Sequence, residues 1–343
     1  MKIVAVTSVR NEAPFLVEWV AYHRLIGFTD IVLFYNDCSD GTDLVAQALA
    51  KAGLVTAIEN HGLPDMAPQV AAFSQARSFP QVKSADWAIA FDVDEFINIK
   101  CGDGRLSDLF DAVPDADAIM MQMRHFGSAH QIFMQNDLVI RQFDLASLVE
   151  HPDNMIVKTI HKMGRKFSGI GMHMPNFYQK YDALPRMYNG SGVFLPDTVH
   201  RMERLRKVPD GWGGMDLVQL NHYAVRSLDQ YLVKRRRGSG TGMKNRFSRE
   251  YWQQRDANDV QETSIHRMLP GLEAAIATVM ADPAIRQAVD QARRLNNLEV
   301  MLSIRDAPPF AFQVAEAMSS TGDATSNDAT DRGDDAGLAA AGA

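Results

Sequence analysis

Cysteine is scarce in this chain: Cys38 and Cys101 are the only two among 343 residues. Two thiols without Cys-x-x-Cys spacing exclude a disulfide framework and a structural zinc site, and they fit a reducing compartment. Long apolar runs are lacking as well. No stretch approaches the roughly 18 apolar residues that span a bilayer, and the opening Met1-Lys2-Ile3-Val4-Ala5-Val6-Thr7 is too short for a signal-peptide core. A cytoplasmic protein without a transmembrane segment is expected, with peripheral membrane association left open. Basic charge is not in excess either. A net charge of −7 gives no global attraction for phosphate, so nucleic acid is not an expected partner. Three motifs are also missing: a Walker loop, a Gly-x-Gly-x-x-Gly after the first strand, and a Gly-x-Ser-x-Gly elbow. Nucleoside triphosphatases, dinucleotide oxidoreductases and serine nucleophiles are correspondingly poor readings.

What is present is an ordinary globular composition, 46% hydrophobic and 22% charged. Ile3 to Val9 reads as a buried strand. Pro14 suits the first turn of a helix whose apolar positions Phe15, Leu16, Trp19, Val20, His23 and Ile26 keep helical spacing up to Gly27. Strand 31–35, helix 42–52 and strand 54–59 follow, a β-α-β-α-β series that predicts a parallel sheet with helices on both faces. Further on, 67–79 and 106–113 read as helices, and 118–123, 138–143 and 217–220 as strands. Ser227-Leu228-Asp229-Gln230 reads as a capping box opening a helix to about Arg236, and the chain beyond Tyr251 as helical to about Val300.

The sharpest chemical signal follows the apolar run Trp87 to Phe91. In an extended segment alternate residues point the same way, so Asp92 and Asp94 are expected to set two carboxylates on one side of a strand end, a pair suited to Mg²⁺ or Mn²⁺. A bare Asp-x-Asp is more often a solvated loop; here Phe96 and Ile97 return at once to apolar character and pin the acids between buried segments. Arg10-Asn11-Glu12 and Asn36-Asp37, after the first two strands, would lie side by side and offer amide and carboxylate groups to a nucleotide, although Asp, Ser and Gly after a strand are also plain turn chemistry. Asp40, before Thr42, fits a capping role. Arg201, Arg204, Arg206 and Lys207, then Lys234 to Arg237, supply local positive charge. The second group precedes Gly238-Ser239-Gly240-Thr241-Gly242, whose backbone amides can close over an anion; the alternative is a solvated helix face. His161, His173 and His222 are isolated, and of these His222 ends a strand where an imidazole can complete a metal shell.

Together these segments resemble the GT-A fold glycosyltransferases, and within them the bacterial family-2-like group related to glycosyltransferase family 92. The resemblance is carried by Val9-Arg10-Asn11-Glu12, Glu18 to His23, Tyr35 to Thr42 and Trp87 to Phe96. Phe126-Gly127-Ser128, Val157 to Ile160, His173-Met174-Pro175, and Asn221 to Ser227 with Lys234, Arg237 and Gly238 extend it. It implies a mixed, mostly parallel sheet with helices on both faces over residues 1–240 and a mostly helical extension over 241–318. It also implies a metal-dependent enzyme that moves a sugar, with inversion, from a nucleoside-diphosphate donor to a carbohydrate or glycoconjugate acceptor. On that resemblance Asp94, with Asp92, meets Mn²⁺ or Mg²⁺, and His222 joins the metal or diphosphate. Arg10, Asn11, Glu12, Asn36, Asp37, Asp92, Lys234 and Arg237 line the donor. The chain departs from the simpler family-2 pattern in lacking a Glu-Asp pair before a helix, which leaves the acceptor's base unassigned, with His173 and Asp216 as candidates. Two rivals stay open on the residues: a glycan-binding or assembly module on the same scaffold, and a phosphatase of the haloacid-dehalogenase type.

From Ser319 onward the chain holds little but Ser, Thr, Asn, Asp, Gly and Ala, a composition that cannot offset its ordering entropy. Five aspartates against one arginine leave −4 of the net −7 there. Deleting residues 319–343 is expected to leave melting temperature and activity unchanged; a drop of many degrees would show that this segment packs on the domain.

Overall fold

The computed structural model describes residues 1–310 except 64, 165, 178–183, 202–204, 244–245 and 308–309. The expected acidic tail and Arg204 therefore lie outside the described residues. The first half contains β1 (Ile3–Val9), α1 (Ala13–Ile26), β2 (Asp30–Tyr35), α2 (Thr42–Lys51), β3 (Thr56–Glu59), α3 (Pro68–Ala76), α4 (Pro80–Lys83), β4 (Trp87–Ala90), β5 (Glu95–Ile99), α5 (Leu106–Ala112), β6 (Ala118–His125) and α6 (Val139–Gln142). The second contains β7 (Leu145–Ala146), β8 (Val157–Lys162), β9 (Phe167–Gly169), β10 (Asn176–Phe177), β11 (Met187–Asn189), β12 (Val218–His222), α7 (Leu228–Arg237), α8 (Arg249–Arg255), β13 (Val260–Gln261), α9 (Leu269–Met280) and α10 (Pro283–Asp306).

The main sheet has the order β3-β2-β1-β4-β8-β6-β12-β5, with β11 beside β6. Its pairings from β3 to β4 are parallel, β8 runs antiparallel to both neighbours, and β12 lies parallel to β6 and antiparallel to β5. The mixed, mostly parallel sheet expected from the sequence is thus the one that forms. Alternation along the strands divides the core: Ala5, Ile31 and Leu33 pack with α1 and α2, whereas Val4, Val6, Val32 and Phe34 pack with Ala72, Phe73 and Ala76 of α3. The C-terminal helices join the first of these layers. Leu272, Val279, Ile285 and Ala292 share a core with α1 and α2. Gly41 shows how close the approach is: at φ +86 it is left-handed, and a Cβ there would stand 2.7 Å from Ala292 Cα.

Helix α1 sets the position of the edge strand β5. Trp19 Nε1 donates to Glu95 O at 2.9 Å and Tyr22 Oη to Ile97 O at 2.8 Å. His23 donates from Nδ1 to Trp19 O at 2.8 Å, and its Nε2 faces Ile97 N at 3.5 Å. Burial pushes the His23 imidazole down to about 3 and keeps it neutral. Asp40 ties two helix starts together, accepting from Ala13 N and Thr42 N at 2.9 Å each, in keeping with the capping role expected for it.

Local expectations differ from the structure at four places. Residues 138–143 hold the short helix α6 (Val139–Gln142) and not a strand, because the buried Glu18 carboxylate accepts from Val139 N at 2.7 Å and Ile140 N at 3.2 Å, satisfying amides at the start of that turn. The capping box at Ser227 does not form; its hydroxyl donates to Asp229 Oδ1 at 2.6 Å. Helix 67–79 stops at Ala76 and restarts at Pro80. The run after Tyr251 is broken by the extended β13.

Glu18 generates a pH dependence. Burial pushes its carboxyl up to about 7 against the pull of the two amides. A folded-state value above the unfolded 4.5 means that its contribution to stability is full below about 4.5 and is lost as pH rises through about 7. Glu18→Gln cannot ionise, so its melting temperature relative to wild type should be higher at about pH 8.5 than at about pH 5. Thermal unfolding at both pH values checks this, and an identical offset would contradict the assignment.

Candidate functional site

The carboxyl ends of β1, β2 and β4 bring three polar loops to one edge of the sheet, where open α/β sheets bind their ligands. The segment after β4 is a tight turn and not an extended strand, since Glu95 N donates back to Asp92 O at 3.0 Å. That corrects the expected alternation of Asp92 and Asp94: the turn sends the two carboxylates to different partners. Asp92 accepts from Gln69 Nε2 at 2.5 Å and lies 3.4 Å from Lys158 Nζ. Asp94, 6% exposed, is ion-paired with Lys234 and stands 3.8 Å from His222 Nε2. Burial opposes its ionisation, yet Lys234 and His222 outweigh that and hold Asp94 well below the usual carboxylate range.

Glu95, which the sequence reading left without a role, completes the cluster. One ligand atom each from Asp94, Glu95 and His222 lies within 4.8 Å of the others. Glu95 is fully buried beside Lys158, with Oε2 3.4 Å from Nζ and accepting from Asp92 N at 2.9 Å. Burial, with Asp92 and Asp94 nearby, pushes its carboxyl up to about 8 despite Lys158. Two carboxylate oxygens and an imidazole nitrogen suit Mn²⁺ and are compatible with Mg²⁺. His222 Nδ1 is buried without a partner and its ring centroid lies 5.0 Å from that of His125, so the ring is held by packing. The donor set therefore fits a divalent cation, with Asp92 turned away toward Gln69 and Lys158.

Glu12, Arg226 and Arg237 form a second buried group beside it. Arg226 Nη1 donates to Glu12 Oε2 at 2.7 Å and Arg237 Nη2 to Oε1 at 2.5 Å. Burial disfavours the Glu12 carboxylate, but Arg237 and Arg226 hold it below its ordinary value. Both oxygens are engaged, so Glu12 clamps arginines where the sequence pointed to a nucleoside contact. The loops after β1 and β2 do lie side by side: Asn11 Nδ2 donates to Ser39 Oγ and Ser39 N to Asn11 Oδ1, each at 2.9 Å. Arg10 is exposed and reaches Asp37 O at 3.3 Å, while Asn36 Nδ2 donates to Asp37 Oδ2 at 2.9 Å and leaves the Asp37 side chain at the surface. Asn11, Asp37 and Arg226 are all left-handed, at φ 51, 46 and 55, a strain that concentrates on these loops.

Helix α7 divides its basic run between two faces. Lys234 and Arg237 face the cluster, while Arg236 pairs with Glu299 and Asp306. Gly240 O, in the glycine-rich segment that follows, accepts from Gln69 N at 3.2 Å, next to the side chain that holds Asp92. Lys207 of the earlier basic group pairs with Asp153 at 3.1 Å, outside this cluster.

The two base candidates separate. Asp216 is exposed near the start of β12, at the opposite end from His222, so the fold does not bring it to the cluster. His173 is half-buried, donates from Nδ1 to Val157 O at 2.9 Å, and is pushed down to about 4 by burial and by Lys158. With Nδ1 carrying the proton, Nε2 carries the lone pair of the neutral ring.

A mixed, mostly parallel sheet with helices on both faces and an acidic turn at the carboxyl end of its fourth strand is the arrangement implied by the resemblance to GT-A glycosyltransferases. Glycosyltransferase family 92 matches residues 3–188, and the chain belongs to that family. A family 92 protein of Ricinus communis is 33% identical over 100 residues, covering 28% of this chain and 17% of that protein. One of Oryza sativa subsp. japonica is 29% identical over 205 residues, covering 54% and 34%. The chain thus matches between about a sixth and a third of the length of these relatives. Among solved structures, S. aureus TarS 1-349 in complex with UDP-GlcNAc overlaps at a TM-score of 0.31 with 11% identity, covering 47% of this chain and 45% of that one. The family assignment rests on the sequence match and not on that overlap.

Removing one partner from a buried ion pair strands the other. Glu12→Gln is expected to cost about 3 kcal/mol in urea unfolding, whereas Asp37→Ala, at the surface, should cost only about 1 kcal/mol, the strain of an alanine at left-handed φ. Equal midpoints for both variants would contradict the clamp.

Proposed function

We propose that the protein transfers a sugar, with inversion, from a nucleoside-diphosphate donor, expected to be a uridine diphosphate sugar, to a hydroxyl of a carbohydrate or glycoconjugate in glycan or polysaccharide biosynthesis. Family membership supports the reaction class. The observation that carries the site is the convergence of Asp94, Glu95 and His222 with Lys234 and Arg237 at the carboxyl edge of the sheet. Bound there, Mn²⁺ or Mg²⁺ supplies charge stabilisation to the departing diphosphate.

The chain's own residues supply the rest. Lys234 and Arg237 are preorganised cations where negative charge develops, and in a water-poor site such groups are worth far more than in solution. Asn11, Asn36 and the exposed Asp37 offer amide and carboxylate groups to the nucleoside, with Arg10 at the rim. His173 Nε2 is the base for the acceptor proton, its ring oriented by the Val157 carbonyl. A cytoplasmic setting, expected from the cysteine usage, belongs to the same proposal. Among the described residues no single helix is long and apolar enough to cross a membrane.

Asp94→Asn keeps the side-chain volume and removes the charge that holds a cation. A loss of about 4 kcal/mol of leaving-group stabilisation means roughly a thousandfold slower transfer, and Asp92→Asn, whose partners are Gln69 and Lys158, should lose less. Transfer from uridine diphosphate sugars measured against Mn²⁺ concentration, with circular dichroism to confirm folding, tests the reading. A folded Asp94→Asn protein at near wild-type rate, or wild-type activity undiminished by excess chelator, would overturn the metal-dependent mechanism.

A further inference from the structure

Four carboxylates crowd the edge of the sheet, and each already has a side-chain cation. Lys158, 1% exposed, lies 3.4 Å from both Asp92 Oδ2 and Glu95 Oε2. Lys234 is paired with Asp94 Oδ2, and Glu12 is held by Arg226 and Arg237. The cluster therefore carries no excess of negative charge: with every acid ionised Asp92, Asp94, Glu95 and Glu12 only balance Lys158, Lys234, Arg226 and Arg237, and with Glu95 protonated the cations outnumber the carboxylates. Divalent cations of the hard class are drawn by carboxylates whose charge is not already neutralised. Any such ion at Asp94 meets an ammonium on the same carboxylate, in a buried setting where like charges are poorly screened.

Lys234 is held by fewer acids than Lys158. Its second partner is a neutral carbonyl, Ala224 O at 2.8 Å, and it sits in the last turn of α7, one turn before Arg237 and the left-handed Gly238. Lys158, by contrast, projects from the middle of the sheet between two acids.

We propose that Lys234 is a counter-ion that competes with the divalent cation for Asp94, so that metal binds tightly only together with a nucleoside diphosphate, whose phosphates take over the ammonium. This inference rests on the proposed donor class and adds to it an obligatory coupling between metal and nucleotide. The coupling is reciprocal: uridine diphosphate must strengthen Mn²⁺ binding by the factor by which Mn²⁺ strengthens uridine diphosphate binding.

The experiment is Mn²⁺ binding to the full chain, followed by the electron paramagnetic resonance signal of free Mn²⁺, with and without uridine diphosphate. Wild type is expected to bind Mn²⁺ alone at least about tenfold more weakly than with the nucleotide. Lys234→Met should tighten binding of Mn²⁺ alone about tenfold, whereas Lys234→Arg, which keeps the charge, should bind it as weakly as wild type. Lys234→Gln serves as a second neutral variant if the methionine variant fails to fold. Folded neutral variants that bind Mn²⁺ alone no better than wild type would overturn the proposal. So would wild-type protein whose Mn²⁺ affinity is the same with and without nucleotide while uridine diphosphate binds. If no nucleoside diphosphate binds but the neutral variants still gain Mn²⁺, the competition at Asp94 stands and the donor assignment falls.

Discussion

The clamp of Arg226 and Arg237 on the Glu12 carboxylate holds the working edge of this molecule in register. It joins the start of α1 to the segment carrying α7, across 214 and 225 residues of chain. A buried ion pair of this kind is weak evidence for net stability, because desolvation offsets much of the attraction. Its value is geometric. Arg226 lies face-on to the Phe15 ring at 3.4 Å and also donates to Val93 O at 3.2 Å, so one side chain ties α1, the acidic turn and the entry to α7 together. With α7 fixed, Lys234 falls on Asp94, and with α1 fixed, Trp19 holds the backbone of Glu95. The two halves of the acidic turn are thus positioned by elements far apart in sequence.

Much of the architecture was legible because local signals agreed with global ones. In β1 to β3 short β-branched runs alternate with helices whose starts carry Pro14 and Asp40 and whose first end carries Gly27, and each element falls within two residues of its expected bounds. Residues 138–143 show the limit. Val139 and Ile140 have strand-like side chains, but the carboxylate that organises them, Glu18, is supplied by a distant helix. No window of local sequence contains that information.

The site divides along the same line. Asp94 and His222 stood out by residue type and place, Lys234 and Arg237 by the family resemblance, and the fold brings Lys234 and His222 to Asp94 and Arg237 to the neighbouring Glu12. Glu95 was passed over because an acid at the start of an apolar strand looks like its boundary, whereas the turn at Asp92 buries it beside Lys158. Glu12 and Asp216 have the right chemistry, but their surroundings decide otherwise: one is saturated by arginines, and the other stands at the wrong end of β12. Residue type indicates what a side chain can do, and its neighbours determine whether it is free to do it.

The side chains along β5 have a consequence for association between copies of the chain. As the last strand of its sheet, β5 turns outward a row of backbone groups of the kind that templates pairing with a foreign strand. Here that row is already spoken for: Glu95 O by Trp19, Ile97 O by Tyr22, Ile97 N by His23 and Ile99 O by Arg267. Three residues of one helix and an arginine stand in for a neighbouring strand. The edge that begins at Glu95 is thereby closed to cross-chain β-pairing without the prolines or charged bulges that commonly guard such edges.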